Sequence, residues 1–266
     1  MEYIGYILAV LVGISLGLIG SGGSILTVPI LVYVMGVMPA TATAYSLFVV
    51  GSSALVGGVQ RAINKQVAMK TVFIYGIPSL LAVYFTRRIL VPAIPDIIFS
   101  NNGFVISKSM FLMSLFAVVM ILAAFSMIRS KKTGVAMEMD GVPFNYPMMI
   151  TASILEGILT GLVGAGGGFL IIPALVLLAR MPMKLAVGTS LFIIATKSLI
   201  GFTGDLQGNL QIDWMLLVSF TACSIIGIFL GMLLAKSISG ERLKTGFGWF
   251  ILAMGMYIIA REWFGL

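Results

Sequence analysis

Residues 13–32 read GISLGLIGSGGSILTVPILV and residues 157–176 read GILTGLVGAGGGFLIIPALV, so the chain writes one glycine-broken apolar stretch twice. A shift of 144 residues lays Gly13 on Gly157, Gly17 on Gly161, Gly20 on Gly164, Gly22 on Gly166, Gly23 on Gly167 and Pro29 on Pro173. The same shift carries Ser46-Leu47-Phe48 onto Ser190-Leu191-Phe192, and Leu55 onto Leu199. An apolar chain made of two copies of a Gly-interrupted hydrophobic unit follows a plan used by membrane transporters, whose broken helices meet around a site near the bilayer midplane.

Composition fixes the solvent. Of 266 residues, 60% are hydrophobic and 9% charged, against about 25% charged in a soluble domain. The chain is therefore an integral membrane protein, and its first partner is the lipid bilayer. The net charge of +7 is explained below by orientation in that bilayer, so no nucleic-acid partner is expected. The chain has no histidine, which excludes His-ligated zinc, His general bases and Cys/His nucleophile pairs. The single Cys223 cannot form an internal disulfide. No nucleotide-binding loop is present. No enzyme, metal site or cofactor is expected. The opening MEYIGYILAVLV lacks a basic leader region and reads as the first membrane segment.

Ten apolar segments can be marked at about 3–20, 22–37, 40–60, 68–87, 108–129, 147–165, 167–180, 185–204, 213–235 and 243–262. The first and second, and again the sixth and seventh, are short for a full span of about 20 residues. Each pair is joined only by glycine-rich links, Gly20–Ser24 and Gly164–Gly168, without charge, Asn or Pro. Each pair is read as a helical hairpin whose tip ends inside the membrane, where irregular backbone must be buried in protein or line a polar cavity. With each hairpin returning to its own side, Arg61, Lys65, Lys70, Arg129, Lys131, Lys132, Arg180, Lys184, Lys236, Arg242 and Lys244 share one face. The other face keeps Arg87, Arg88, Lys108 and Arg261. The positive-inside rule makes the first face cytoplasmic and puts both termini outside. The expected fold is an all-α integral membrane protein of two inverted repeats, each a Gly-tipped hairpin plus three transmembrane helices. Repeat one spans residues 1–130, a cytoplasmic linker 131–146 and repeat two 147–266, all in one membrane domain of the inner (cytoplasmic) membrane. Residues 88–107 are expected to form the longest external loop.

The glycine tips are the first candidate site. Gly22, Gly23 and Ser24 open one return helix, and Gly166, Gly167 and Gly168 the other. A helix N-terminus offers free N–H donors and partial positive charge, which suits an anion. Close helix packing by small residues competes with that reading, above all for Gly13/Gly17 and Gly227/Gly231. Lys197, halfway along its segment, is the second candidate. A central Lys costs at least about 2.5–3.5 kcal/mol to insert, so it needs an anionic substrate or a partner such as Glu156. Glu156 is the other ionisable residue deep in a span. It either exchanges a proton during transport or neutralises Lys197. Ser46 and Ser190 are singled out among the hydroxyls because the repeat aligns them. Lys197 and Glu156 correspond to Ser53 and Val12 in the first unit, so the charges belong to one half only.

Two apolar halves, each opening with G-x-G-G, then a proline, then a T/S-S-L-F-like span, resemble the sulfite exporter TauE/SafE family of membrane permeases. The resemblance covers nearly the whole chain. It implies a substrate class of sulfur-containing and related organic anions, such as sulfite and sulfonates. Ala44-Tyr45-Ser46 stands where the second half has Gly188-Thr189-Ser190, so the two half-sites should differ.

The expected function is a secondary transporter for a small anion, working by alternating access and driven by the substrate gradient or coupled to protons. A proton- or cation-selective channel with Glu156 as its filter is the alternative. Assembly of copies into a homo-oligomer is left open.

Overall fold

The computed structural model describes residues 2–20, 22–90, 93–95, 97–101, 104–129, 146–163, 168–179, 181–205 and 212–264. The chain is α-helical, with helices where the apolar segments lie. In the first unit these are α1 (Glu2–Ile19), α2 (Gly22–Pro29), α3 (Pro39–Ile63), α4 (Met69–Phe85) and α5 (Lys108–Arg129). In the second they are α6 (Tyr146–Val163), α7 (Gly168–Pro173), α8 (Met183–Asp205), α9 (Trp214–Ser237) and α10 (Gly240–Phe264). Among the described residues, four stretches are long and apolar enough to cross a membrane: Thr41–Ile63, Met69–Leu90, Met183–Thr203 and Trp214–Ser237. Tyr3–Ile19, Tyr146–Leu162 and Gly248–Arg261 are shorter apolar helices.

The two hairpin return segments are built alike from their prolines onward. Proline has no N–H and its ring displaces the carbonyl a turn earlier. After Pro29 and after Pro173 the helix widens into a π turn, Ile30–Val34 and Ala174–Leu178. Met35 then donates to the Ile30 carbonyl (3.1 Å) and Val37 to that of Leu31 (2.9 Å). Ala179 and Met181 make the corresponding bonds to Ala174 (3.3 Å) and Leu175 (3.1 Å). Pro29/Pro173 thus mark equal local structure as well as equal sequence.

Packing between the units is reciprocal. The first helix of each lies along the fourth of the other, α1 on α9 and α6 on α4, while α3 packs on α8 and α5 on α10. Small residues let these backbones approach. A Cβ on Gly13 would stand 1.9 Å from the Ser224 carbonyl oxygen, and one on Gly227 would stand 2.1 Å from that of Val10. On the opposite pair, a Cβ on Gly157 would meet the Ser79 carbonyl oxygen at 2.5 Å. The helices α3 and α8 form the buried centre, with Ala44, Leu47, Val50, Leu191 and Ile194 in the core. Phe73, Ile77 and Leu81 on α4, and Val218, Ile226 and Leu233 on α9, are exposed apolar side chains facing outward, as lipid contact requires.

Two matching hydrogen bonds tie one unit to the start of the other's fourth helix. Thr189 Oγ1 on α8 accepts from the Ala68 N–H, just before α4 (3.0 Å). Tyr45 Oη on α3 accepts from the Asp213 N–H, just before α9 (2.5 Å). The residues Tyr45 and Thr189 align in the repeat.

One element departs from the expected external loop. Helix α4 runs on as a π turn, Thr86–Leu90, and residues 97–107 hold an antiparallel pair, β1 (Ile97–Asn101) and β2 (Phe104–Ser107). The reason is in the residues: β-branched and aromatic runs flank Asn102-Gly103, a strong hairpin-turn pair. The linker 131–146 lies almost wholly outside the described residues.

Candidate functional site: a buried charge cluster and a glycine tip

Lys197 sits deep in α8, with its side chain 3% exposed. Its ammonium group donates to Glu156 Oε1 (2.8 Å) and Oε2 (2.9 Å) on α6, and to Ser79 Oγ (2.8 Å) on α4. Ser79 passes its own hydrogen to Glu156 Oε2 (2.5 Å), and Thr160, one turn along α6, donates to Oε1 (2.7 Å). One carboxylate therefore gathers donors from three helices. Charge-assisted bonds of this kind are about twice as strong as neutral ones, and removing one partner of a buried pair costs about 3–5 kcal/mol. Of the two readings open for Lys197 and Glu156, the structure brings the pair into direct contact.

The place related to it by the repeat is neutral. There Ser53 Oγ on α3 donates to Ser224 Oγ on α9 (3.0 Å). Ser53 aligns with Lys197 at the shift of 144, and Ser224 with Ser79 at a shift of 145, since the sequence runs one residue further from Thr189 to Asp213 than from Tyr45 to Ala68. Val12 and Leu16 stand where the charged half has Glu156 and Thr160.

The first glycine tip forms a separate place. Helix α1 ends at Ile19, Gly20 turns the chain with φ +80°, and Gly23 folds back onto the Leu16 side chain. Gly20 packs against Val187 and Ser190 of α8, so the tip stops inside the helix array. Ser190 Oγ donates to the Val187 carbonyl (2.9 Å) and lies 3.4 Å from that of Gly20. The first turn of α2 supplies Gly22, Gly23 and Ser24 at this tip. Lys197 lies two turns further along α8 than Ser190, about 10 Å away along the helix axis. Lys197 and the first tip are therefore distinct places on one helix. Ser46 is buried on α3 and Gly168 is buried at the start of α7. Gly166 and Gly167 lie outside the described residues.

Sequence reasoning missed Arg61, Ser79, Thr160 and Tyr75. Arg61 reads in sequence as a marker of the cytoplasmic face, yet it is 7% exposed. Its Nη2 donates to the Gly17 carbonyl in the last turn of α1 (3.0 Å) and its Nη1 to Gln66 Oε1 (3.1 Å). A cation there meets the partial negative charge of a helix C-terminus, which fastens the tip of the first hairpin to α3. Thr160 could have been found, since it stands four residues after Glu156 on one helix face.

These features define a helical membrane protein with paired glycine-broken segments in its sequence and, among the described residues, a buried ion pair. The chain belongs to the sulfite exporter TauE/SafE family, whose model matches residues 6–258. It is 33% identical over 260 residues to a probable membrane transporter protein of Xylella fastidiosa (strain 9a5c), covering 96% of this chain and 94% of that one. To the probable membrane transporter protein YunE of Bacillus subtilis it is 27% identical over 232 residues, 79% of this chain and 81% of that one. No solved structure matches. The protein is a membrane transporter by these relationships, and an enzymatic role has no support from them.

Proposed function

We propose that the protein is a secondary transporter carrying a small anion, sulfite or a small organosulfur anion, across the cytoplasmic membrane by alternating access with proton coupling. The observation that carries this reading is the buried Lys197–Glu156 pair. A proton taken up by Glu156 removes the carboxylate as counter-ion, and an anion takes its place beside the Lys197 ammonium. The cluster is neutral as an ion pair and neutral again with one proton and one monoanion, so neither form carries net charge through a low-dielectric core. The hydroxyls of Ser79 and Thr160 are within reach to follow the charge, since both now bond Glu156.

The first glycine tip, with the N–H groups of Gly22–Ser24 and Ser190 Oγ, serves as an approach to Lys197 along the same face of α8. Alternation between the two inverted halves is supported by the matching bonds of Tyr45 and Thr189, which fall on opposite faces in the positive-inside threading. The family description, sulfite exporter, supports the sulfur-anion class.

Sulfite flux into proteoliposomes, at two imposed pH gradients, tests the reading with wild type and Lys197→Ala. Saturable flux that grows with the proton gradient, and falls by about tenfold or more in a folded Lys197→Ala, is the expected result. Undiminished flux in the variant would remove Lys197 from the path. A conductance that never saturates would favour a channel.

A further inference from the structure

Tyr75 is 1% exposed, and its hydroxyl has no hydrogen-bond partner among the described residues. A buried donor left unmatched costs about 1–3 kcal/mol, and most buried polar groups are paired. The surroundings of this one are specific. Tyr75 stands four residues before Ser79 on α4, on the same helix face. Gly76 between them faces Ile193 of α8, one turn before Lys197. Tyr75 and Ser79 are both buried on this face of α4. A second orphaned hydroxyl, Ser198, is the neighbour of Lys197 in the chain.

The other half of the molecule supplies an internal comparison. At the shift of 145 that lays Ser79 on Ser224, Tyr75 falls on Phe220, which is fully buried as well. The same fold therefore seats a ring at this place without any hydroxyl. Of the two places related by the repeat, the one where α4 brings Tyr75 is also the one where α6 and α8 bring Glu156, Thr160 and Lys197, opposite Val12, Leu16 and Ser53. The polar changes are gathered around one cluster, and three of the four are already bonded to one another. The fourth is not.

We propose that Tyr75 is a substrate-binding residue whose hydroxyl donates to an oxygen of the small oxyanion that Lys197 holds. This rests on the anion-transport reading of the Lys197 site and adds to it the class of group recognised: a tetrahedral or pyramidal oxyanion with oxygens for several donors. Lys197 meets one oxygen, the Tyr75 hydroxyl a second, and the Ser79 hydroxyl is placed to serve either.

The substitution Tyr75→Phe separates a binding role from a structural one. The measurements are thermal unfolding of the detergent-solubilised full chain, with sodium sulfite against matched sodium chloride, and the KM of sulfite uptake in proteoliposomes. The expected Tyr75→Phe protein unfolds at or above the wild-type temperature in chloride, because an unmatched hydroxyl has been removed. Its KM rises about tenfold or more, the worth of one bond to a charged group, and the stabilisation by sulfite shrinks accordingly. A variant that unfolds earlier in chloride yet keeps the wild-type KM would make the hydroxyl structural and overturn the proposal. Unchanged unfolding with unchanged KM would overturn it too. If wild type shows neither sulfite stabilisation nor flux, the transport reading itself fails and the proposal falls with it, an outcome visible before any variant is made.

Discussion

At the scale of single residues, Lys197 and Glu156 hold each other at 2.8 Å inside the helix array, and each is harmful without the other. Lys197→Met should lower stability by about 3–5 kcal/mol, because a buried carboxylate loses its counter-charge. The double variant Lys197→Met/Glu156→Gln should recover most of that loss and still transport nothing; denaturant unfolding and flux on the same preparations check both. Glu156→Gln alone should leave sulfite flux indifferent to the imposed pH gradient. Both charged residues were legible in the sequence, since an ionised group in an apolar segment stands out. Their hydroxyl partners were not. Thr27 donates to the Gly23 carbonyl and Thr221 to that of Leu217, the ordinary habit of a hydroxyl in a helix. Only its place four residues after Glu156 tells Thr160 from these, and nothing local tells Ser79 from them. The approach of α4 to α6 and α8 is what turns Ser79 toward Glu156. Arg61 misled for a related reason: its number in the chain suited a solvated helix end, and its burial depends on where the first hairpin's tip arrives.

At the scale of elements, the glycines of α1 set the spacing to α9. Gly13→Val should prevent close approach, since even a Cβ would lie 1.9 Å from the Ser224 carbonyl, and little folded protein should be recovered on size exclusion. Gly246→Ala on α10, with nothing within 4 Å of the added carbon, should behave as wild type. That Gly13/Gly17 and Gly227/Gly231 pack was readable from their spacing; that they pack on each other was not, because their partners lie far apart in the chain. Among the described residues, eight of the ten helices were marked to within about three residues at each end by unbroken apolarity, while α2 and α7 stop at Pro29 and Pro173, well before the marked segments end. The β1–β2 hairpin escaped because Pro92, Pro95 and Asp96 mark residues 88–107 as loop, although β-branched and aromatic runs flank the Asn102-Gly103 pair in the sequence.

For the whole molecule, the threading assigns sides that the packing alone leaves unassigned. In a Cys223→Ser background, Asn101→Cys in the β-hairpin should react with a membrane-impermeant maleimide on intact cells. Thr133→Cys in the linker should react only after the membrane is opened. The reverse pattern would turn the protein over and, with it, the direction of the proposed proton coupling.

The two bonds that Tyr45 and Thr189 make to the Asp213 and Ala68 peptide N–H groups are alike in design and unlike in length, 2.5 and 3.0 Å. If opening toward one face breaks one and opening toward the other face breaks the second, their difference is a resting bias between the two orientations. About 1.4 kcal/mol between them sets a tenfold preference. Evolution can then tune which side of the membrane the carrier waits on by exchanging a phenol for an aliphatic hydroxyl at two mirrored positions. The ligand cluster, and hence what is carried, need not change at all.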